Sequence, residues 1–269
     1  MVERLGGEFG IIIGVMVIVL LVVVRYWVAW RRTHYTFSLF TLILIVRCLT
    51  FWRWRNVSTS PFPLVPGQGA VIVANHRSSV DPYFIQLKLN RPVHWMVARE
   101  YCEHKIFGWF LRICEVISVG RGGIDTAAIK TAVRLASAGH LVGLFPEGRI
   151  NMSEEPLLPA RPGAALVALK AGVPIIPCFI EGAPYEGTAL SPFFMSSRVG
   201  VHVGTPIHVD RYNFAEDREQ ALRSIMLDCL TQLGKLAGHT DFVPQIAGRR
   251  WKPSDVEVQA DVQKLKERP

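Results

Sequence analysis

His76 and Asp81 are the residues of this chain whose types and spacing best suit chemistry. They follow the short apolar run Val71-Ile72-Val73-Ala74 and Asn75, and Arg77-Ser78-Ser79-Val80 separates them. A histidine whose second ring nitrogen is held by a carboxylate has a fixed tautomer and a stabilised imidazolium. A general base that takes a proton from a hydroxyl needs both. The polar residues between the two make a turn, and Asp81-Pro82 reads as N-cap and first helical position. Alone, such a pair is more often a surface histidine followed by a helix cap than a catalytic dyad, so the surrounding elements have to decide.

Those elements alternate. Ala70 to Ala74 reads as a strand, Asp81 to Leu89 as a helix, Val93 to Ala98 as a strand and Tyr101 to Ile113 as an aromatic-rich helical segment. Glu115 to Val119 is another strand. Asp125 can cap a helix through Ala138 in which Ile129, Ala132, Val133 and Ala136 share a face, and Gly139 stops it. The strand His140 to Phe145, the helix Ala164 to Ala171 ended by Gly172, and the strands Val173 to Ile180 and Val199 to Val203 follow. A final amphipathic helix runs from Ala215 to Leu236. Apolar strands between helices predict an α/β domain layered around a mostly buried sheet.

The N-terminus is of another kind. Phe9 to Val24 is entirely apolar or glycine, and Tyr26 to Trp30 extend the run with only Arg25 interrupting it. As helix this approaches the roughly 30 Å of a bilayer's hydrocarbon core. The start, Glu3-Arg4-Glu8, lacks the basic character of a cleaved signal, and Arg25, Arg31 and Arg32 predict an uncleaved anchor whose C-terminal side is cytoplasmic. A second apolar stretch, Phe37 to Trp54, ends in Phe51-Trp52-Arg53-Trp54-Arg55, which suits an interfacial or re-entrant helix better than a second span; a helix packed into the core is the other reading. The expected organisation is a membrane anchor over residues 1–55, a catalytic domain over 56–248 and a charged tail over 249–269.

The formal charge of +8 calls for an anionic partner. The basic residues are scattered and no nucleic-acid module appears, so beside an anchor the partner is anionic lipid rather than nucleic acid. Five cysteines without a C-x-x-C pair suit a reducing compartment and small core positions, and no ligand cluster for a metal is visible.

Three more segments fall at strand ends, where open α/β folds gather their sites. Arg121 stands among glycines after Val119, Phe145-Pro146-Glu147-Gly148-Arg149 follows the next strand, and Val173-Pro174-Ile175-Ile176-Pro177 is the third. Arginines beside glycines offer donor forks and open backbone to a phosphate. In this order, after Asn75-His76 to Asp81, the four blocks resemble the glycerolipid acyltransferase family, and in particular its membrane-bound 1-acylglycerol-3-phosphate acyltransferases. The resemblance covers about Val71 to Glu181.

It implies a glycerol-3-phosphate acyltransferase-like mixed sheet flanked by helices, with His76 and Asp81 catalytic and Arg121, Glu147, Gly148 and Arg149 holding the glycerol phosphate. The fourth block is implied in acyl-donor contact or in structure. It further implies acyl-CoA or acyl carrier protein as co-substrate without a separate cofactor, a lysophospholipid acceptor, and a membrane location with the catalytic domain on the cytoplasmic face. One departure stands out: many members carry threonine and then a basic residue after F-P-E-G, whereas Arg149 follows directly here. A Ser-His-Asp hydrolase using Ser78 or Ser79, transfer to another lysolipid head group, and a non-catalytic membrane-bound lipid-binding protein are the alternatives. No G-x-S-x-G elbow supports the first.

Overall fold

The computed structural model of the chain describes residues 2–55, 61–105, 107–120, 125–212 and 217–248. Its centre is β1 (Ala70–Ala74), of which every residue is buried. A strand covered on both faces needs a continuous apolar run rather than an alternating one, and Ala-Val-Ile-Val-Ala supplies it. With β2 (Val93–Ala98), β3 (Ile117–Val119), β4 (Leu141–Leu144), β5 (Ile175–Glu181) and β6 (Gly200–Val203) it forms a six-stranded sheet in the order β3-β2-β4-β1-β5-β6. The first five strands run parallel and β6 pairs antiparallel with β5, so the sheet is mixed. The segments leaving β1, β3 and β4 therefore emerge at the same end of the sheet.

Helices cover both faces. On one, α6 (Thr126–Ser137), α7 (Gly163–Ala171) and α8 (Arg218–Leu236) bury Ala132, Ala136, Ala165, Ile225 and Leu230 among other residues. Alanines on α6 and α7 leave room for the two helices to pack directly on each other. Asp125 caps α6 by accepting from the Ala128 N–H, and Gly172 ends α7 at φ 65°, a left-handed conformation that favours glycine. On the other face lies α3 (Asp81–Gln86), with Phe84 and Ile85 fully buried beside Trp54.

Several boundaries differ from the sequence reading. The helix expected to reach Leu89 ends at Gln86, because the Gln86 side chain donates to Arg91 O and accepts from Val93 N and so ties the chain into β2. The segment Tyr101 to Ile113 is two helices, α4 (Arg99–Cys102) and α5 (Phe107–Ile113). The strands expected from Glu115 and Val173 begin at Ile117 and Ile175. Of the cysteines expected in the core, only Cys178 and Cys229 are buried, and Cys48 is exposed.

Ahead of the sheet, α1 (Val2–Arg31) and α2 (Phe37–Trp52) form a helical pair. Tyr26 bonds Thr41 at 2.6 Å and meets the Phe37 and Phe40 rings edge-on. From Gly14 to Arg31, α1 is long and apolar enough to cross a membrane and none of that stretch is buried. Along α2, Leu39, Phe40, Ile43 and Val46 are buried while Phe37, Ile45, Phe51 and Trp52 are exposed. Trp54, read from the sequence as part of an interfacial end, is fully buried. Its Nε1 donates to Pro192 O at 2.9 Å. Trp54, near the end of the expected anchor, is thus part of the domain core, while Phe51, Trp52, Arg53 and Arg55 around it are exposed. The 249–269 tail lies outside the described residues.

Candidate active site

At the C-terminal end of β1 the chain is fixed residue by residue. Asn75, fully buried, donates from Nδ2 to Ile180 O (2.9 Å) and accepts at Oδ1 from Ile180 N (2.6 Å), a two-way clamp onto β5. His76 N donates to Glu147 Oε1 at 2.8 Å, and His76 O accepts from Asn151 N at 2.6 Å. Neither end of the His76 peptide is therefore free to swing.

The side chain is held as firmly. His76 Nδ1 lies 3.0 Å from Asp81 Oδ2, and that same oxygen accepts the backbone N–H of Arg77 (2.6 Å) and Ser78 (2.7 Å). Asp81 is fully buried, and its Oδ1 has no hydrogen-bond partner among the described residues. The sequence reading made Asp81 an N-cap. In the structure Val80 occupies that position without a side-chain bond, and Asp81, the first helical residue, turns its carboxylate back onto the 76–78 turn instead. An ionised Asp81 assigns the proton to Nδ1 and leaves the lone pair on Nε2, in a ring that lines a cavity and is 18 % exposed.

Two aromatic rings set the imidazole plane. His76 stacks on Phe145 with centroids 4.1 Å apart, and Phe145 stacks on Trp95 at 4.5 Å, each pair within 10° of parallel. The base of the stack requires Gly143, which faces Trp95 across the β2–β4 ladder. A Cβ there would fall 2.5 Å from the indole.

Glu147 is 1 % exposed and is not among the residues lining the cavity. Its second oxygen accepts from Leu158 N at 2.9 Å, so both oxygens serve backbone N–H groups. Burial pushes its carboxyl up to about 7 against the pull of those two bonds. The expectation that Glu147 contacts substrate is corrected on this geometry: it holds His76 and the following loop in place. Gly148, at φ 70°, and Arg149 do line the cavity. Arg121 lies outside the described residues.

Of the two roles implied for the fourth block, acyl-donor contact or structure, its placement fits structure. Val173 to Pro177 is buried at the beginning of β5, the opposite end of the sheet from His76, and lines no part of the cavity. β5 lies inside the sheet, between β1 and β6.

Three residues were not singled out from the sequence. Asn75 provides the clamp. Arg77, adjacent to the histidine, turns away from the cavity and donates to Asn151 O, Ser153 O and Glu155 O. Phe145 carries the stack. An Asn-His-Arg run at a strand end was a signal for the first two, whereas stacking has none. Ser78 and Ser79 donate their hydroxyls to Pro184 O and Ala189 O rather than to His76.

The cavity measures about 1590 Å³. One wing is apolar and runs from His76 past Tyr83 and Phe110 to Leu39, Ile43 and Val46 of α2. The other passes Gly148 and Arg149 toward α6, α7 and α8. Among the described residues no group of three or more His, Cys, Asp or Glu side chains could hold a metal ion.

Fold and site together define an α/β domain in which a carboxylate-backed histidine opens onto a cavity of lipid dimensions. Residues 55–181 match the family model described as Acyltransferase. The chain is 28% identical over 165 residues to a 1-acyl-sn-glycerol-3-phosphate acyltransferase of Bacillus subtilis, covering 61% of this chain and 78% of that protein. A protein of the same name from Streptococcus pneumoniae is 27% identical over 141 residues, and there the match spans only 50% of the relative's length. Drosophila melanogaster tafazzin is 28% identical over 156 residues, 41% of its length. Among solved structures, the 1-acyl-sn-glycerophosphate (LPA) acyltransferase PlsC of Thermotoga maritima superposes with a TM-score of 0.57 at 18% identity, over 77% of this chain and 78% of that one. This likeness bears on the fold alone.

Proposed function

We propose that the protein transfers a fatty acyl group from an acyl thioester to the free hydroxyl of 1-acylglycerol-3-phosphate, giving phosphatidate. The observation that carries this reading is the 3.0 Å pairing of His76 Nδ1 with buried Asp81 at the junction of the apolar and cationic parts of one cavity. His76 Nε2 takes the hydroxyl proton as the oxygen attacks the thioester carbonyl, and Asp81 stabilises the imidazolium that forms. The C–S bond then breaks and the departing thiolate takes that proton. No residue need carry the acyl group covalently. Arg149, at the cavity wall beside Gly148, meets the acceptor phosphate. The names of the relatives support this acceptor, and α1 supports a membrane-anchored enzyme whose arginines at the helix end face the cytoplasm.

The test is transfer of labelled acyl groups from acyl-CoA to lysophosphatidate by the detergent-purified chain beside His76→Ala. Phosphatidate should form with the wild type and fall by at least about a thousandfold with the variant. Undiminished turnover by the variant would reject His76 as the base, and a trapped acyl-serine would replace this mechanism with the hydrolytic one.

A further inference from the structure

The cavity continues beyond His76 as a groove between α6, α7 and α8, on the face of the sheet opposite α3. Ile129, Leu166 and Leu222 give it an apolar floor. Lys130, Arg161, Lys170, Arg218 and Arg223 line it, and all but Arg161 are exposed to solvent. Among the described residues the carboxylates on this lining are Asp125 and Glu219. Asp125 is occupied by the N–H groups of Gly120 and Ala128 and by the Arg99 guanidinium, which holds less of its charge for the groove. The groove is thus strongly cationic, and it joins the site by way of Arg149 rather than standing apart from it.

We propose that this groove receives the phosphopantetheine arm of the acyl thioester together with the anionic group that carries it. The inference rests on the acyl-transfer reading above. A thioester carbonyl can meet a hydroxyl at His76 Nε2 only if the donor shares the cavity, and its two ends differ in chemistry. The acyl chain suits the apolar wing that ends at α2. The other end is a thin arm of methylenes and amides closing in phosphate, which suits an apolar floor between cationic walls. When the new ester C–O bond forms and the C–S bond breaks, the thiol takes the proton from His76 and leaves along the same groove. Coenzyme A and an acidic carrier protein both present this arm.

The double variant Lys170→Glu, Arg223→Glu reverses charge on two helices of the groove. Arg198→Glu, Lys235→Glu makes the same change at exposed positions outside the cavity lining. With the full-length purified chain, KM for the thioester should rise by about tenfold or more in the groove variant while KM for lysophosphatidate stays within about twofold. The control pair should alter neither. A rise with acyl-CoA alone identifies the nucleotide carrier, and a rise with acyl carrier protein identifies the protein carrier. A thioester KM within about twofold of wild type, or an equal rise for both substrates, would overturn the inference. Should the wild type transfer from neither thioester, the functional reading fails by itself, and calorimetric binding of unacylated coenzyme A then judges the groove. Binding lost in the double variant supports it, and no binding by the wild type rejects it.

Discussion

Glu147 joins two parts of the site through one carboxylate, with Oε1 on His76 N and Oε2 on Leu158 N. Burial lifts its pKa from an ordinary 4.5 to about 7. The folded chain therefore holds this proton more tightly than the unfolded chain. The stability it confers is complete below about 4.5 and is lost as pH rises through about 7, a change on the order of 3 kcal/mol. The melting temperature of the wild type should fall across that window, and Glu147→Gln, which does not titrate, should flatten the fall. An identical slope in the variant would assign the proton to another group. Placing ionised Glu147 near Asp81 adds to the cost of the charged form, since the two carboxylates repel.

At the scale of elements, the imidazole is oriented by a strand pair. Gly143 on β4 lets the Trp95 ring of β2 lie flat against it, Phe145 stacks on Trp95, and His76 stacks on Phe145. Gly143→Ala puts a methyl group where the indole lies, so the stack must shift and the hydroxyl-to-base geometry with it. We expect kcat to fall by roughly tenfold to a hundredfold with little change in acceptor KM, and stability to drop by about 1–3 kcal/mol. An unchanged kcat with a lowered melting temperature would show that the stack supports the fold and not the base. The histidine and aspartate could be read from sequence because only four residues separate them along one turn. The stack could not, because its members come from β2 and from the segments that follow β1 and β4, and only the sheet register brings them together. The Val173 to Pro177 block is legible as a buried strand, but nothing in its residues tells which end of that strand faces the site.

For the molecule as a whole, the α/β layering and the apolar N-terminus were legible because alternating strands and helices and a long hydrophobic run are local patterns. The strand order and the reach of α2 into the cavity were not, since both depend on contacts distant in sequence. The apolar wing between His76 and α2 gives a prediction at this scale. Ile43→Trp should shorten it, so that kcat/KM for long acyl chains falls by about tenfold relative to short ones. Equal loss for all chain lengths would mean that the acyl chain lies elsewhere. The central position of β1 also bears on how the protein is made. Its partners are β4 and β5, and the Asn75 clamp closes on Ile180, 105 residues downstream. On the ribosome, α1 can enter a bilayer while the first strand is still without neighbours. β1 then waits through much of translation as an apolar segment with unpaired edges. Early membrane tethering would keep such nascent strands from pairing with those of other chains in the cytosol during that wait.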